Sequence, residues 1–293
     1  MDGTHCETWE QFEDALASLE SSALSRGSGL LFRGQSNSEW QLDTTMERRW
    51  PDIGDVDDYY RRALYVQYPI ESFTTHKWGE LAYWKIHDLT KKYDEFSLTL
   101  TKGDLPAYEY LLYLRHHGFP SPLLDWSRSP YVAAYFAFAQ SALKGAAARV
   151  AIYAYSERPL NMKVTGAEVA QIYVLGPQVP AHKRHFLQKS EYTVCVRWHD
   201  KLWKFAPHGD VLQAGQASQD VIMLFTLPST EGKKVLKLFD RYNLNGFSLF
   251  GSEESLMETM AFRETIRADL KESNQLDLRS GFSPVAGSSP KIC

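Results

Sequence analysis

The stretch from Tyr108 to Gln140, YEYLLYLRHHGFPSPLLDWSRSPYVAAYFAFAQ, constrains this chain more than any other. Leu111, Leu112, Leu114, Phe119, Leu123, Leu124, Trp126, Tyr135, Phe136 and Phe138 supply the apolar mass for a core. Arg115, His116, His117, Asp125, Ser127, Arg128 and Ser129 lie between them. Polar groups carried into a core are costly unless hydrogen-bonded, so such a run has a specific use for them, structural or chemical.

The flanking chain reads as α+β. Thr8 with Gln11 three residues on forms a capping box, and Trp9, Phe12, Leu16 and Leu19 share one face of a helix to about Ser22. Leu30 to Gly34 is a short buried strand from which Arg33 emerges at a glycine-marked bend. Tyr59 to about Lys92 has helical periodicity, read as two helices broken near Pro69. Another helix starts at Asp104 or Leu105 with Pro106 in its first turn and stops before Gly118; the next opens at Ser129-Pro130. Residues 143–148 read as a small-residue loop. Arg149 to Tyr155, Tyr192 to Trp198 and Val221 to Leu227 alternate like strands. Gly232 to Tyr242 reads as a helix, Asn245-Gly246 as a turn, and Ser252 or Glu253 as the cap of a last helix to about Glu272. This order is mixed, not a regular strand–helix alternation. A chain of 293 residues, 44% of them hydrophobic, can bury one large core or two modest ones. We expect one main domain over residues 1–273 with a helical lobe inserted at about 59–114, and a disordered Ser/Gly/Pro-rich tail at 274–293.

Several function classes are excluded. A net charge of −4 gives no global basic field. The opening residues carry no basic-then-apolar leader, and no run reaches the roughly 18 apolar residues of a membrane span. Cys6, Cys195 and Cys293 show no CxxC spacing. A cytoplasmic chain with free thiols and no membrane partner is therefore expected. There is no GxGxxG, P-loop, HExxH or GxSxG. Adjacent His116 and His117 point to different faces of a helix, so no metal is expected.

Phe32-Arg33-Gly34, then HHGFPSPLLDWS at 116–127, then YVAAYFA at 131–137, resemble in that order the motifs of the FRG domain family. Residues 184–192 (RHFLQKSEY) and 239–250 (FDRYNLNGFSLF) extend the resemblance. Arg115 stands where the family has Gln, and Ser121-Pro122 where it has Thr-Arg. The pattern is similar, more distantly, to ADP-ribosyltransferases of the Arg-Ser-Glu type. That similarity implies an ADP-ribosyltransferase-like mixed sheet and NAD as substrate. It also implies roles. Phe32, Arg33, Gly34 and Gln35 would bind NAD, with Gly34 letting the backbone approach. Ser127 and Ser129 would hold the nicotinamide-side ribose, His117 would touch substrate and Tyr135 would stack on the nicotinamide. Glu191 would be the catalytic carboxylate with Gln188 as its helper, and Asp125 is the next carboxylate to consider.

The residue types suit this chemistry. A planar guanidinium binds phosphate oxygens through forked hydrogen bonds, and a carboxylate stabilises the charge that develops on ribose as nicotinamide leaves. Each residue also has a plainer reading. Arg33 suits a salt bridge, and Asp125 suits a tight turn in which it caps the amides of Ser127 and Arg128. His116 and His117 suit a helix C-terminus, Tyr135 and Phe136 suit the core, and Glu191 faces either solvent or a cleft, opposite Tyr192, Val194 and Val196. Residues 182–208 carry six Lys and Arg against Glu191 and Asp200, with four histidines, Trp198 and Trp203 interleaved. This stretch is either a nucleic-acid or nucleotide contact or an ordinary solvated face. The expected activity is NAD-dependent ADP-ribosyl transfer to a macromolecule, nucleic acid ahead of protein. Use as a toxin or anti-phage effector with a neutralising antitoxin is what such enzymes suggest. A non-catalytic nucleotide- or nucleic-acid-binding module and an NAD glycohydrolase are the alternatives.

Overall fold

The computed structural model describes residues 3–22, 29–79, 81–144, 147–157, 168–176, 183–213 and 220–280. Its contacts divide into two units, Met1–Leu244 and Asn245–Cys293.

The first unit is built on a sheet of β1 (Thr4–His5), β2 (Leu30–Gln35), β3 (Leu123–Ser127), β4 (Arg149–Ser156), β5 (Gln171–Leu175), β6 (Ser190–His199), β7 (Leu202–Phe205) and β8 (Val221–Pro228). Strand order is β1-β8-β4-β2-β3-β6-β5, with β7 also paired to β6. Only the β1–β8 pair is parallel among the described pairs, so the sheet is mixed and the class is α+β. Four of these strands, β1, β3, β5 and β7, are not among the strands that the sequence pattern predicts. Asp125 therefore sits within a strand instead of a tight turn, as a period-two reading of Leu124 and Trp126 against Asp125 and Ser127 would have found.

Eleven helices in the described part of this unit are α1 (Trp9–Ser21), α2 (Thr45–Arg49), α3 (Val56–Tyr65), α4 (Gln67–Thr74), α5 (Tyr83–Thr90), α6 (Tyr93–Thr101), α7 (Tyr108–His116), α8 (Pro130–Lys144), α9 (Lys183–Leu187), α10 (His208–Gln213) and α11 (Gly232–Arg241). The Thr8 hydroxyl accepts from the Gln11 amide at 3.3 Å and starts α1, whose Trp9, Phe12, Leu16 and Leu19 are buried as expected. The span read as two helices holds three, α3, α4 and α5, and α6 follows it. Pro69 lies in the first turn of α4, where its missing N–H costs nothing, and the break falls at Val66. Pro106 precedes α7, which begins at Tyr108 after Ala107 in the left-handed region (φ 56°). Gly118, at φ +87°, ends that helix region as read. α8 continues through Lys144, beyond the expected start of the loop at 143; residues 145–146 fall outside the described ones.

The register sorts side chains to two faces, because opposed residues in an antiparallel ladder point the same way. Phe32, Gly34, Leu123, Asp125, Ser127, Tyr192 and Val194 share one face. Helices α3 to α7 bury it through Tyr59, Tyr60, Phe96, Tyr110 and Leu111 against Leu123, Tyr192 and Val194. α8 lies on the same face. A Cβ at Gly34 would fall 1.8 Å from the Ala133 carbonyl oxygen, so only glycine admits the helix there. The opposite face presents Leu31, Arg33, Gln35, Leu124, Trp126, Tyr153, Tyr155, Glu191, Thr193 and Cys195. Leu42, Ala206 and Val211 pack on it. Among the described residues of this unit, its cover is a loop and the short α10, not a helical layer.

The second unit comprises α12 (Gly246–Phe250) and α13 (Glu253–Ser280). Asn245 is the N-cap of α12 rather than part of a turn: its side chain accepts from the Ser248 amide at 3.0 Å, and the Ser248 hydroxyl in return accepts from the Asn245 amide. α13 runs eight residues past the expected Glu272, and the tail beyond Ser280 lies outside the described residues. No helix among those described is long and apolar enough to cross a membrane.

Candidate functional site

The sheet separates the residues expected to work together. Arg33 and Glu191 fall in one cross-strand row on the thinly covered face. Phe32 pairs with Ser127, which puts Trp126 beside Arg33, and Trp126 pairs with Glu191; Tyr153 flanks Arg33 on the other side. Two inter-strand steps separate Arg33 from Glu191, about 10 Å between backbones. Gln35, two residues along, is on the same face. Phe32, Gly34, Asp125 and Ser127 point to the other face.

Arg33 Nη1 donates to the Asp125 carbonyl at 2.8 Å, while Arg33 Nε is shut from solvent with no hydrogen-bond partner among the described residues. The Asp125 carboxylate is taken by Arg115, which grips both oxygens. Burial brings the Arg33 pKa down to about 10 against the attraction of Asp125, and the charges of Arg115 and Arg48 add to the fall. Burial would raise the Asp125 pKa, but Arg115 prevails and holds it below the usual carboxylate range. Asp125 thus serves two guanidinium groups, Arg33 through its carbonyl and Arg115 through its carboxylate, and the arginine at 115, where the family pattern has Gln, is the one its charge is paired with.

Glu191 is buried, at 2% side-chain exposure, and pairs with Arg128, itself about half exposed. Burial pushes its carboxyl pKa upward against that ion pair, with Glu157 adding to the rise. Glu191 does lie opposite Tyr192, as its alternation implied, but it faces neither solvent nor an open cleft: Arg128 covers it.

The remaining expected residues have structural duties. The Ser127 hydroxyl donates to the Gln188 carbonyl at 2.7 Å and accepts from the Ser129 amide at 3.0 Å. The Ser129 hydroxyl accepts from the Val132 amide at 3.4 Å at the start of α8. The Arg128 amide donates to the Lys189 carbonyl at 3.0 Å. The end of β3 therefore clamps the turn holding Gln188 and Lys189, and so fixes where Glu191 enters β6. Gly34 makes room for α8, not for a ligand on its own face. Tyr135 is half-buried on α8 and meets Phe136 at 5.8 Å. His117 is exposed at the end of α7, its Nδ1–H donating to the Tyr113 carbonyl at 2.7 Å, and His116 Nε2 bonds the Tyr192 hydroxyl at 2.9 Å.

The basic stretch does not gather into a stacking surface among the described residues. Trp203 stacks on Tyr93 at 5.4 Å in the lobe core, Arg197 faces Asp210 at 3.9 Å, and His199 sits between Glu168 and Asp200. His208 is fully buried on the Arg33 face: its Nε2 meets the Thr193 hydroxyl at 2.9 Å, which also accepts from Trp126 Nε1–H at 2.8 Å. Trp126 and His208 were not read as site residues. His208 was only one of four histidines in a basic run, and nothing local in the sequence sets it apart.

Residues 28–145 match the FRG domain family. The chain carries an FRG domain. Its span holds β2, β3, α8 and the helical lobe, hence Arg33, Asp125 and Trp126; β6 and α10, with Glu191 and His208, come after the matched FRG residues. Comparison with curated proteins and with solved structures returned no match in either.

Proposed function

We propose that this FRG-domain chain binds NAD on the face bearing Arg33 and Glu191 and transfers its ADP-ribose to a macromolecule. The observation that carries this reading is Arg33: a largely buried guanidinium whose nearest carboxylate is committed to Arg115. A buried cation without its own counter-ion favours an anionic ligand, and a guanidinium matches phosphate oxygens. The pyrophosphate of NAD would sit there. Trp126 and Tyr153 give an aromatic floor beside it, and Glu191 stands at the other end of the row as the carboxylate for charge developing on ribose. Arg128 must swing off Glu191 for that contact. NAD supplies the labile ribose–nicotinamide bond; the protein supplies the cation, the floor and the carboxylate.

A second reading has an observation in its favour. Glu191 is neutralised by Arg128 and the Ser127 hydroxyl is spent on backbone, which suits a pocket that binds a nucleotide without cleaving it.

Nicotinamide release from NAD by the purified protein decides between them, measured with and without DNA, RNA and a cell lysate. Transfer predicts release that depends on an acceptor and falls at least about a hundredfold in Arg33→Ala and Glu191→Gln with melting behaviour preserved. Release without any acceptor would indicate a glycohydrolase. Binding of NAD with no release under any condition would establish the second reading.

A further inference from the structure

Among the described residues, three polar atoms on the Arg33 face are buried without a hydrogen-bond partner: Arg33 Nε, Gln35 Oε1 and His208 Nδ1. Buried orphans of this kind are rare and call for an explanation. They belong to one face of the sheet. Gln35 follows Arg33 by two residues on the same face, and its cross-strand row runs through Leu124 to Thr193, which His208 caps. The Arg33 charge reaches His208 and helps burial hold its pKa down to about 3, so the imidazole is neutral.

The hydrogen-bond chain assigns the imidazole's proton. Trp126 Nε1–H donates to Thr193 Oγ1, leaving the Thr193 hydroxyl hydrogen to find an acceptor, and His208 Nε2 is the acceptor within reach. With Nε2 accepting, a neutral ring carries its hydrogen on Nδ1. The opposite tautomer would strand the hydroxyl hydrogen as well as the Nδ1 lone pair. His208 Nδ1–H is thus a second unused buried donor on the Arg33 face, and Gln35, whose amide nitrogen donates to the Gln41 carbonyl at 3.2 Å, leaves its Oε1 unused on the same face.

We infer that Arg33 Nε–H and His208 Nδ1–H form a two-donor subsite for a phosphate oxygen, with Gln35 Oε1 accepting from a neighbouring hydroxyl of the same ligand. His208 is then a binding residue of this face, and Trp126 and Thr193 are positioning residues that act by fixing its tautomer. The inference rests on the function proposed above only for the ligand being NAD; the phosphate preference follows from the donors themselves.

The test uses the full chain labelled with 15N-histidine, and inorganic pyrophosphate, ADP-ribose and NAD as probes. The free protein should show the His208 correlation pattern of an Nδ1–H imidazole, and pyrophosphate and ADP-ribose should shift its Nδ1 resonance. His208→Leu should weaken ADP-ribose binding by about tenfold or more, the loss of one hydrogen bond to a charged oxygen. His208→Asn, whose amide N–H falls near the Nδ1 position, should stay within about threefold. Thermal melts of both variants separate binding from folding. An Nε2–H tautomer, no Nδ1 shift with any probe, or equal weakening by Leu and Asn overturns the subsite. Should pyrophosphate bind through His208 while NAD and ADP-ribose do not, the subsite stands and the NAD reading falls. Should ADP-ribose bind wild type and His208→Leu alike, the subsite falls and the NAD reading stands.

Discussion

Asp125 gives both carboxylate oxygens to Arg115 and leaves Arg33 a backbone carbonyl. Removing that charge strands Arg115, whose side chain is only 9% exposed. Asp125→Asn should therefore cost about 2–3 kcal/mol in denaturant unfolding, less than a fully buried pair because the Asp125 side chain keeps 44% exposure. The same change should strengthen anion binding at Arg33, since it removes negative charge from the neighbourhood. Arg33→Lys keeps a cation but loses the fork, and its affinity for ADP-ribose should fall about tenfold in calorimetric titration. An unchanged affinity would mean that Arg33 is not a ligand contact.

At the scale of elements, two contacts set the site. α8 rides on β2 where Gly34 has no side chain, and Gly34→Ala would drive a methyl into the Ala133 carbonyl. The helix cannot yield without leaving its strand, so the variant should lose about 3 kcal/mol or more, read by chemical denaturation. The end of β3 holds the turn before β6 through the Ser127 hydroxyl and the Arg128 amide. Ser127→Ala frees that turn and leaves the Ser129 amide without its acceptor. A stability loss of about 1–2 kcal/mol is expected, together with weaker control of where Glu191 stands. If Ser127 instead held ribose, the variant would lose NAD affinity with its melting temperature unchanged.

Across the whole molecule, two buried groups bend the pH–stability curve in opposite directions. His208 is held down to about 3 when folded and returns to about 6.5 when unfolded. The unfolded chain therefore binds the extra proton, and stability falls as pH drops from about 6.5 toward 3, by an upper limit of about 5 kcal/mol. Glu191 has a raised folded pKa, so its proton is held more tightly in the folded chain. Its contribution is present in acid and fades as pH rises through that folded pKa. Urea denaturation across this range should show the acid limb of His208, and His208→Phe should flatten it. A limb of equal slope in the variant would show that His208 titrates normally.

The FRG resemblance was legible because its motifs are local: Phe32-Arg33-Gly34 and the run ending in Leu123 to Ser127 can be read without knowing what they pair with. So were α1, α8, α11 and the three alternating strands, where a cap, a first-turn proline or a period of two is written into consecutive residues. Strands β5 and β7 were not, since their pairing to β6 supplies what their own short sequences lack. Whether a polar side chain is spent or available is likewise a tertiary matter. Nothing local tells Asp125 that Arg115 will hold it, Glu191 that Arg128 will cover it, or Ser127 that its hydroxyl will go to the Gln188 carbonyl. His208 lies more than 170 residues from Arg33, and only the sheet register brings the two to one face. The sequence by itself determined the family signature and those elements that carry their own cap, first-turn proline or period of two, because these act over a few residues. The tertiary structure alone decided which face each polar group shares and which partner satisfies it, because hydrogen bonds and charges are matched across strands and not along the chain.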